Sequence, residues 1–126
     1  MKKLTLKTAL FALSLPLGVV FTATTATSAL ADSKIAAGKE AVKKFNCAAC
    51  HGDQFNNGID PSYPKLAGQH KDYLEHALKA YKRGAVGLAG RSNAIMEGQV
   101  KELSNQDIEN IAAYLHSLPP SLVMKK

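Results

Sequence analysis

Cys47-Ala48-Ala49-Cys50-His51 is the stretch on which the reading of this chain turns. Two thiols separated by two residues, followed at once by an imidazole, form the attachment pattern of a c-type haem. The spacing has a physical reason. The thiols add across the two vinyl groups on one porphyrin edge, a short turn spans that separation, and the histidine is carried beneath the ring toward the iron. A bare C-x-x-C also serves zinc sites and thiol–disulfide exchange. Zinc needs two further thiol or imidazole ligands, yet the chain has only these two cysteines, and His70, His76 and His116 would have to assist His51. A thioredoxin-like pair belongs at the start of a helix that follows a strand, and no βαβ pattern surrounds this one. A disulfide between Cys47 and Cys50 would close too small a loop to stabilise much. The pentapeptide therefore predicts one covalently attached haem c, with His51 as an axial ligand of its iron.

Upstream of the motif, the first residues read as an address label. Lys2, Lys3 and Lys7 make a positive start, Leu10 to Val20 is apolar, and Ala29-Leu30-Ala31 offers the small-x-small pattern of signal cleavage. Residues 1–31 are accordingly expected to be a signal peptide cut after Ala31. Residues 32–126 then form a single domain in the periplasm. The apolar run is broken by Ser14 and Pro16 and is shorter than the ~20 residues of a membrane span. No stable membrane insertion is expected once the signal is gone.

The net charge of the whole chain is +6. Three of its sixteen basic residues lie in the signal and none of its ten acidic ones do, so the mature domain carries +3. Two ionised haem propionates would bring that close to +1. Nucleic-acid binding, which rests on a strongly basic stripe, loses its main support. Lys43, Lys44, Lys65, Lys71, Lys79, Lys82 and Arg83 are the residues whose clustering would steer an acidic redox partner.

The apolar spacing points to an all-α fold with three main helices and two long loops. Ile35, Gly38, Val42 and Phe45 recur at intervals of three and four, which predicts a helix from about Ser33 to Phe45 with Asp32 or Ser33 as its cap. Asn46 to Gln69 is dense in glycine, asparagine and proline and reads as a loop. A second helix starts at Asp72, puts Tyr73, Leu74, Ala77, Leu78 and Tyr81 on adjoining stripes, and stops at Gly84. A second glycine-rich loop follows, with Met96 near its end. The last helix opens at Ser104, where Ser104 and Asp107 make a capping box, runs through Ile108, Ile111, Leu115 and Leu118, and is stopped by Pro119-Pro120. Two long loops in so small a domain make sense when each is pinned to a buried cofactor.

The sixth iron ligand decides what the haem does. A methionine opposite the histidine closes the iron and favours electron transfer, whereas an open position suggests ligand binding or catalysis. Only Met96 and Met124 occur in the mature chain. Met96 lies where a loop can fold over the ring, while Met124 sits in a charged tail.

Four blocks in order now carry a resemblance: Cys47 to Gly52, Pro64-Lys65-Leu66-Ala67-Gly68-Gln69, Arg91 with Met96 five residues on, and Leu103-Ser104 leading to Ala113-Tyr114. Together they resemble class I cytochromes c, above all the small bacterial branch and single halves of the dihaem carriers of the c-four type. The resemblance runs from Gly38 to Leu118. It implies Met96 as the distal ligand and the backbone carbonyl of Pro64 as acceptor of a hydrogen bond from the second nitrogen of His51. It also implies a crossing of first and last helices at Gly38 and Tyr114. Tyr63, Gln69 and Arg91 are candidates for contact with the propionates, and His70, His76 and His116 read as surface histidines.

The expected function is that of a one-electron carrier between membrane or soluble redox complexes, not an enzyme, present as a monomer or weak dimer. The alternatives are a cytochrome subunit of an oxidoreductase, an open-site haem enzyme and a haem sensor. A single C-x-x-C-H departs from the dihaem pattern and puts a two-haem function in doubt unless two chains pair.

Overall fold

The computed structural model describes residues 25–121. The positive start and apolar run of the expected signal, and Met124, lie outside the described residues. Among those described there are five helices and no strand: α1 (Thr25–Lys44), α2 (Ala48–His51), α3 (Lys71–Arg83), α4 (Ala94–Val100) and α5 (Asn105–Ser117).

The all-α fold class is as expected, with three departures in detail. First, α1 begins at Thr25, eight residues before the expected start. Ser33 is therefore inside the helix, its hydroxyl bonded back to the Leu30 carbonyl at 2.9 Å, and it caps nothing. Second, the first loop contains the single turn α2, closed by the amides of Cys50 and His51 on the Cys47 carbonyl at 3.4 and 3.2 Å. Third, Met96 lies on a helix, α4, and not in a loop.

The frame is the crossing of α1 on α5. At Gly38 the two backbones approach so closely that a Cβ there would stand 2.0 Å from the Asn110 carbonyl oxygen and 2.7 Å from the Tyr114 Cβ. Around this crossing Ala41 and Val42 of α1 bury against Ile108, Ile111, Ala112 and Leu115 of α5. Full burial of an isoleucine such as Ile108 stabilises a fold by about 1.5–3 kcal/mol, and Ile108 has no exposed surface. Lys34 adds an ion pair to Glu109 at 2.9 Å, half exposed and worth little. The Ser104–Asp107 capping box is present in full. Gly84 ends α3 with φ of +66°, a backbone region that favours glycine.

The loop from Gly52 to His70 is anchored by Phe55. This buried residue accepts the left-handed φ of +57°, and its carbonyl receives the amides of both Leu66 and Ala67, at 2.8 and 3.1 Å. Its ring packs at right angles on Tyr114 of α5. Gly68 N–H donates to the Leu115 carbonyl at 2.9 Å. The loop is thereby fastened to the frame at both of its turns.

Candidate haem site

Between α3, α4 and the 62–69 segment opens a cavity of about 250 Å³. A smaller lobe of about 50 Å³ extends to Cys47 and Cys50. His51, Tyr63, Leu66, Leu78 and Met96 line both, so the two lobes are one cleft. Its wall is chiefly apolar, completed by Val100, Leu103 and Ile111 on the cysteine side.

His51 is the last residue of α2. His51 is buried, and its Nδ1 lies 3.1 Å from the Pro64 carbonyl oxygen. A carbonyl only accepts, so Nδ1 carries the proton and donates it. In the neutral imidazole the other nitrogen, Nε2, is then the one with a free lone pair. It is buried with no hydrogen-bond partner. A buried ring nitrogen without a partner is costly unless something in the cleft engages it, and a metal ion does.

Met96 is set by the first turn of α4. The Asn93 side chain accepts the Met96 amide at 3.0 Å, and the Glu97 carboxylate accepts the Asn93 amide at 3.0 Å. This reciprocal cap holds the turn, and Met96 is half-buried with its side chain against the core. Cys47 and Cys50 are free and half-buried. Burial pushes the Cys47 thiol up, with Cys50 beside it adding to the rise. A thiol kept neutral is a poor disulfide-exchange nucleophile, which weighs against the redox-dithiol use of this C-x-x-C.

Arg91 reaches the cleft from α3's side. Its amide donates to the Ala80 carbonyl at 3.2 Å, and its guanidinium lies 5.4 Å from the Tyr73 ring centre and 5.5 Å from that of Tyr81. Tyr63 and Gln69 line the same lobe. His70, His76 and His116 lie outside the cleft, and the His116 Nδ1 bonds the Gln69 carbonyl at 2.8 Å. Among the described residues no cluster of three or more His, Cys, Asp or Glu could hold a metal ion.

The lysines expected to form a patch are partly spent on internal contacts. Lys71 and Lys79 both reach Glu75, at 2.6 and 3.8 Å, and Lys43 pairs with Glu40 at 2.9 Å. Lys82 bonds the Leu103 carbonyl and Arg83 that of Ala89.

The sequence reading did not include the Asn93–Glu97 cap of α4. Its signal was there, an asparagine just before Ala94-Ile95-Met96-Glu97. Nor did it assign Leu66, Leu78, Val100 and Leu103 to the cleft wall, which only the packing of separate elements assembles.

Residues 35–119 match the family model of cytochrome c. The chain belongs to the cytochrome c family. It is 43% identical over 82 residues to cytochrome c-554(548) of Halomonas halodenitrificans, a match covering 65% of this chain and 93% of that protein. Cytochrome c4 of Stutzerimonas stutzeri is 42% identical over 93 residues, 71% of this chain and 42% of the relative. Cytochrome c4 of Azotobacter vinelandii is 36% identical over 118 residues, 90% of this chain and 52% of the relative. The chain thus spans nearly all of the first relative and about half the length of the two cytochromes c4.

Family membership and the Cys47, Cys50 and His51 arrangement together mean one covalently bound haem c. The cytochrome is an electron-transfer protein and not an enzyme. The cleft fits that group on its own terms: two half-buried thiols on one side, apolar walls and a buried, unpartnered imidazole nitrogen. No helix among the described residues is long and apolar enough to cross a membrane.

Proposed function

We propose that this cytochrome is an exported one-electron carrier whose haem is joined to Cys47 and Cys50 and ligated by His51 and Met96, with Pro64 supporting His51. Haem c supplies, when bound, an iron that takes up and gives back a single electron. The observation that carries the ligand assignment is the buried, unpartnered Nε2 of His51, in a cleft also lined by Met96. The Pro64 carbonyl fixes the tautomer and raises the basicity of the nitrogen left free. Met96, held by the Asn93 cap, is a soft thioether that would favour the reduced state of a bound haem and leave it no open position for small ligands. Leu66, Leu78, Val100 and Leu103 give the cleft an apolar wall, which would limit reorganisation when charge changes.

Export rests on the Ala29-Leu30-Ala31 pattern, with cleavage after Ala31 and a periplasmic location. Removing residues 1–31 shortens α1 at its start and leaves Lys34, Gly38 and Val42 to meet α5. Donor and acceptor are proteins that meet the cleft mouth, where Lys65, Tyr73 and Ile95 are exposed. Brief encounters suit turnover. The carrier acts as a monomer or weak dimer.

The test is an optical spectrum of the exported protein, oxidised and reduced, before and after carbon monoxide. A sharp reduced α-band, a weak long-wavelength oxidised band of the Met–iron bond and no carbon monoxide response are expected. Prompt carbon monoxide binding would overturn the closed His51–Met96 assignment. Intact mass of the exported protein should match residues 32–126 plus one haem.

A further inference from the structure

The Pro64 carbonyl holds one edge of the His51 imidazole, but a single hydrogen bond leaves the ring room to turn, because such bonds tolerate a broad range of angles. A second contact narrows that freedom. The Tyr63 ring meets the imidazole at 89°, with centroids 5.9 Å apart. An edge-on aromatic contact has a preferred geometry of its own. Tyr63 is in turn supported from beneath. Its amide donates to the Asp60 carbonyl at 3.0 Å, and a Cβ at Gly58 would stand 2.6 Å from the Tyr63 Cβ, so only glycine leaves the tyrosine its place. The next residue, Ile59, donates its amide to the Cys50 carbonyl at 3.0 Å. The support of Tyr63 is therefore tied to the very turn that carries His51.

We propose that Tyr63 is a positioning residue that, together with Pro64, sets the plane of the His51 imidazole. The inference deepens the proposed function and rests on its axial role for His51. The plane of an axial imidazole governs its overlap with the iron orbitals and so the distribution of unpaired spin in the oxidised protein. The contact is made by the ring of Tyr63, and its hydroxyl is not part of it. This separates the role from a hydrogen bond to a propionate.

The experiment compares oxidised holoproteins of the wild type, Tyr63→Phe, Tyr63→Leu and Gly58→Ala by haem-methyl NMR shifts and EPR g-values, with carbon monoxide as a check on ligation. Tyr63→Phe should keep the wild-type haem-methyl pattern. Tyr63→Leu should change the order and spread of those resonances while the iron stays low-spin and closed. Gly58→Ala, which keeps the tyrosine but displaces it, should shift the pattern in part. An unmoved pattern in Tyr63→Leu overturns the inference, as does a Tyr63→Phe pattern as altered as that of Tyr63→Leu. Where Tyr63→Leu fails to accumulate with haem, an unmoved pattern in Gly58→Ala overturns it instead. A wild type without a low-spin, nitrogen-ligated signal overturns the assignment of His51 itself, and this inference with it.

Discussion

The Cα of Gly38 faces the carbonyl of Asn110 across the α1–α5 crossing, with too little space between for one further carbon. Both obstacles, a helix carbonyl and the Tyr114 Cβ, belong to rigid parts of α5 and cannot swing aside. Gly38→Ala should therefore force the helices apart at the point where Val42 and Ile111 are buried. Overpacking of this kind costs about 1–3 kcal/mol, against which alanine's better helix propensity returns up to about 1 kcal/mol. Denaturant unfolding of the holoprotein should show a lowered midpoint with unchanged slope. A midpoint above that of the wild type would mean the helices do not cross there.

Met96 has a sharper signature. Met96→Ala removes the only described methionine that lines the cleft, so carbon monoxide should bind promptly to the reduced protein and the long-wavelength oxidised band should vanish. The midpoint potential should fall, since the thioether favours reduced iron. Met96→His should restore a closed iron at a potential below that of the wild type. A Met96→Ala protein that still ignores carbon monoxide would assign the sixth position to another residue.

The capping box of α5 makes stability depend on acid. Asp107 accepts the Ser104 hydroxyl at 2.6 Å and the Ser104 amide at 2.9 Å. These bonds, led by that of the hydroxyl, hold its carboxyl below the ordinary value, with Lys44 and Lys82 helping. A carboxyl depressed on folding stabilises the fold above its unfolded pKa, about 3.9, and loses that contribution as pH falls through the lower folded value. Asp107→Asn should thus be less stable than the wild type at neutral pH, with the gap closing below about pH 4. Ser104→Ala also removes the cap from the Asp107 amide, 3.0 Å away. It should cost about 1 kcal/mol and keep part of that deficit in acid. Thermal melts across pH check both, and a pH-independent gap for Asp107→Asn would contradict the assigned cause.

The parts of this architecture that rest on local chemistry were legible in the sequence. Ser104 and Asp107 signal a helix start within four residues, Gly84 a helix end, and Cys47 to His51 a cofactor, because each needs only its neighbours. Met96 was legible as a candidate and misplaced as to element. The short α4 has too few residues for a periodic apolar stripe, and its one local mark is the Asn93 cap. The early start of α1 escaped because Thr25 to Ala31 reads equally as the tail of a signal. Least legible was the contact of Tyr63 with His51. It depends on Gly58 being without a side chain and on Phe55 tolerating a left-handed backbone, both consequences of how a loop closes and not of any periodicity.

Arg91 offers a test of how the cleft is tuned. It lines the larger lobe, its guanidinium lies over the rings of both Tyr73 and Tyr81, and its backbone is bonded to α3 through Ala80. With Lys65 it supplies the cationic lining of that lobe. A positive charge beside the haem disfavours the extra positive charge of the oxidised state, so Arg91→Gln should lower the midpoint potential. One unit charge acting across a haem-sized gap at an effective dielectric near 20 is worth about 1–2 kcal/mol, equivalent to tens of millivolts for a one-electron couple at about 59 mV per tenfold change. Arg91→Lys keeps the charge but loses the planar guanidinium that faces both rings. It should therefore hold most of the potential while lowering thermal stability. Voltammetry of both variants at low and high salt separates the two contributions, because a partly buried charge is screened less than a surface one. Equal potentials in Arg91→Gln and the wild type would leave Arg91 with packing against Tyr73 and Tyr81 as its whole role.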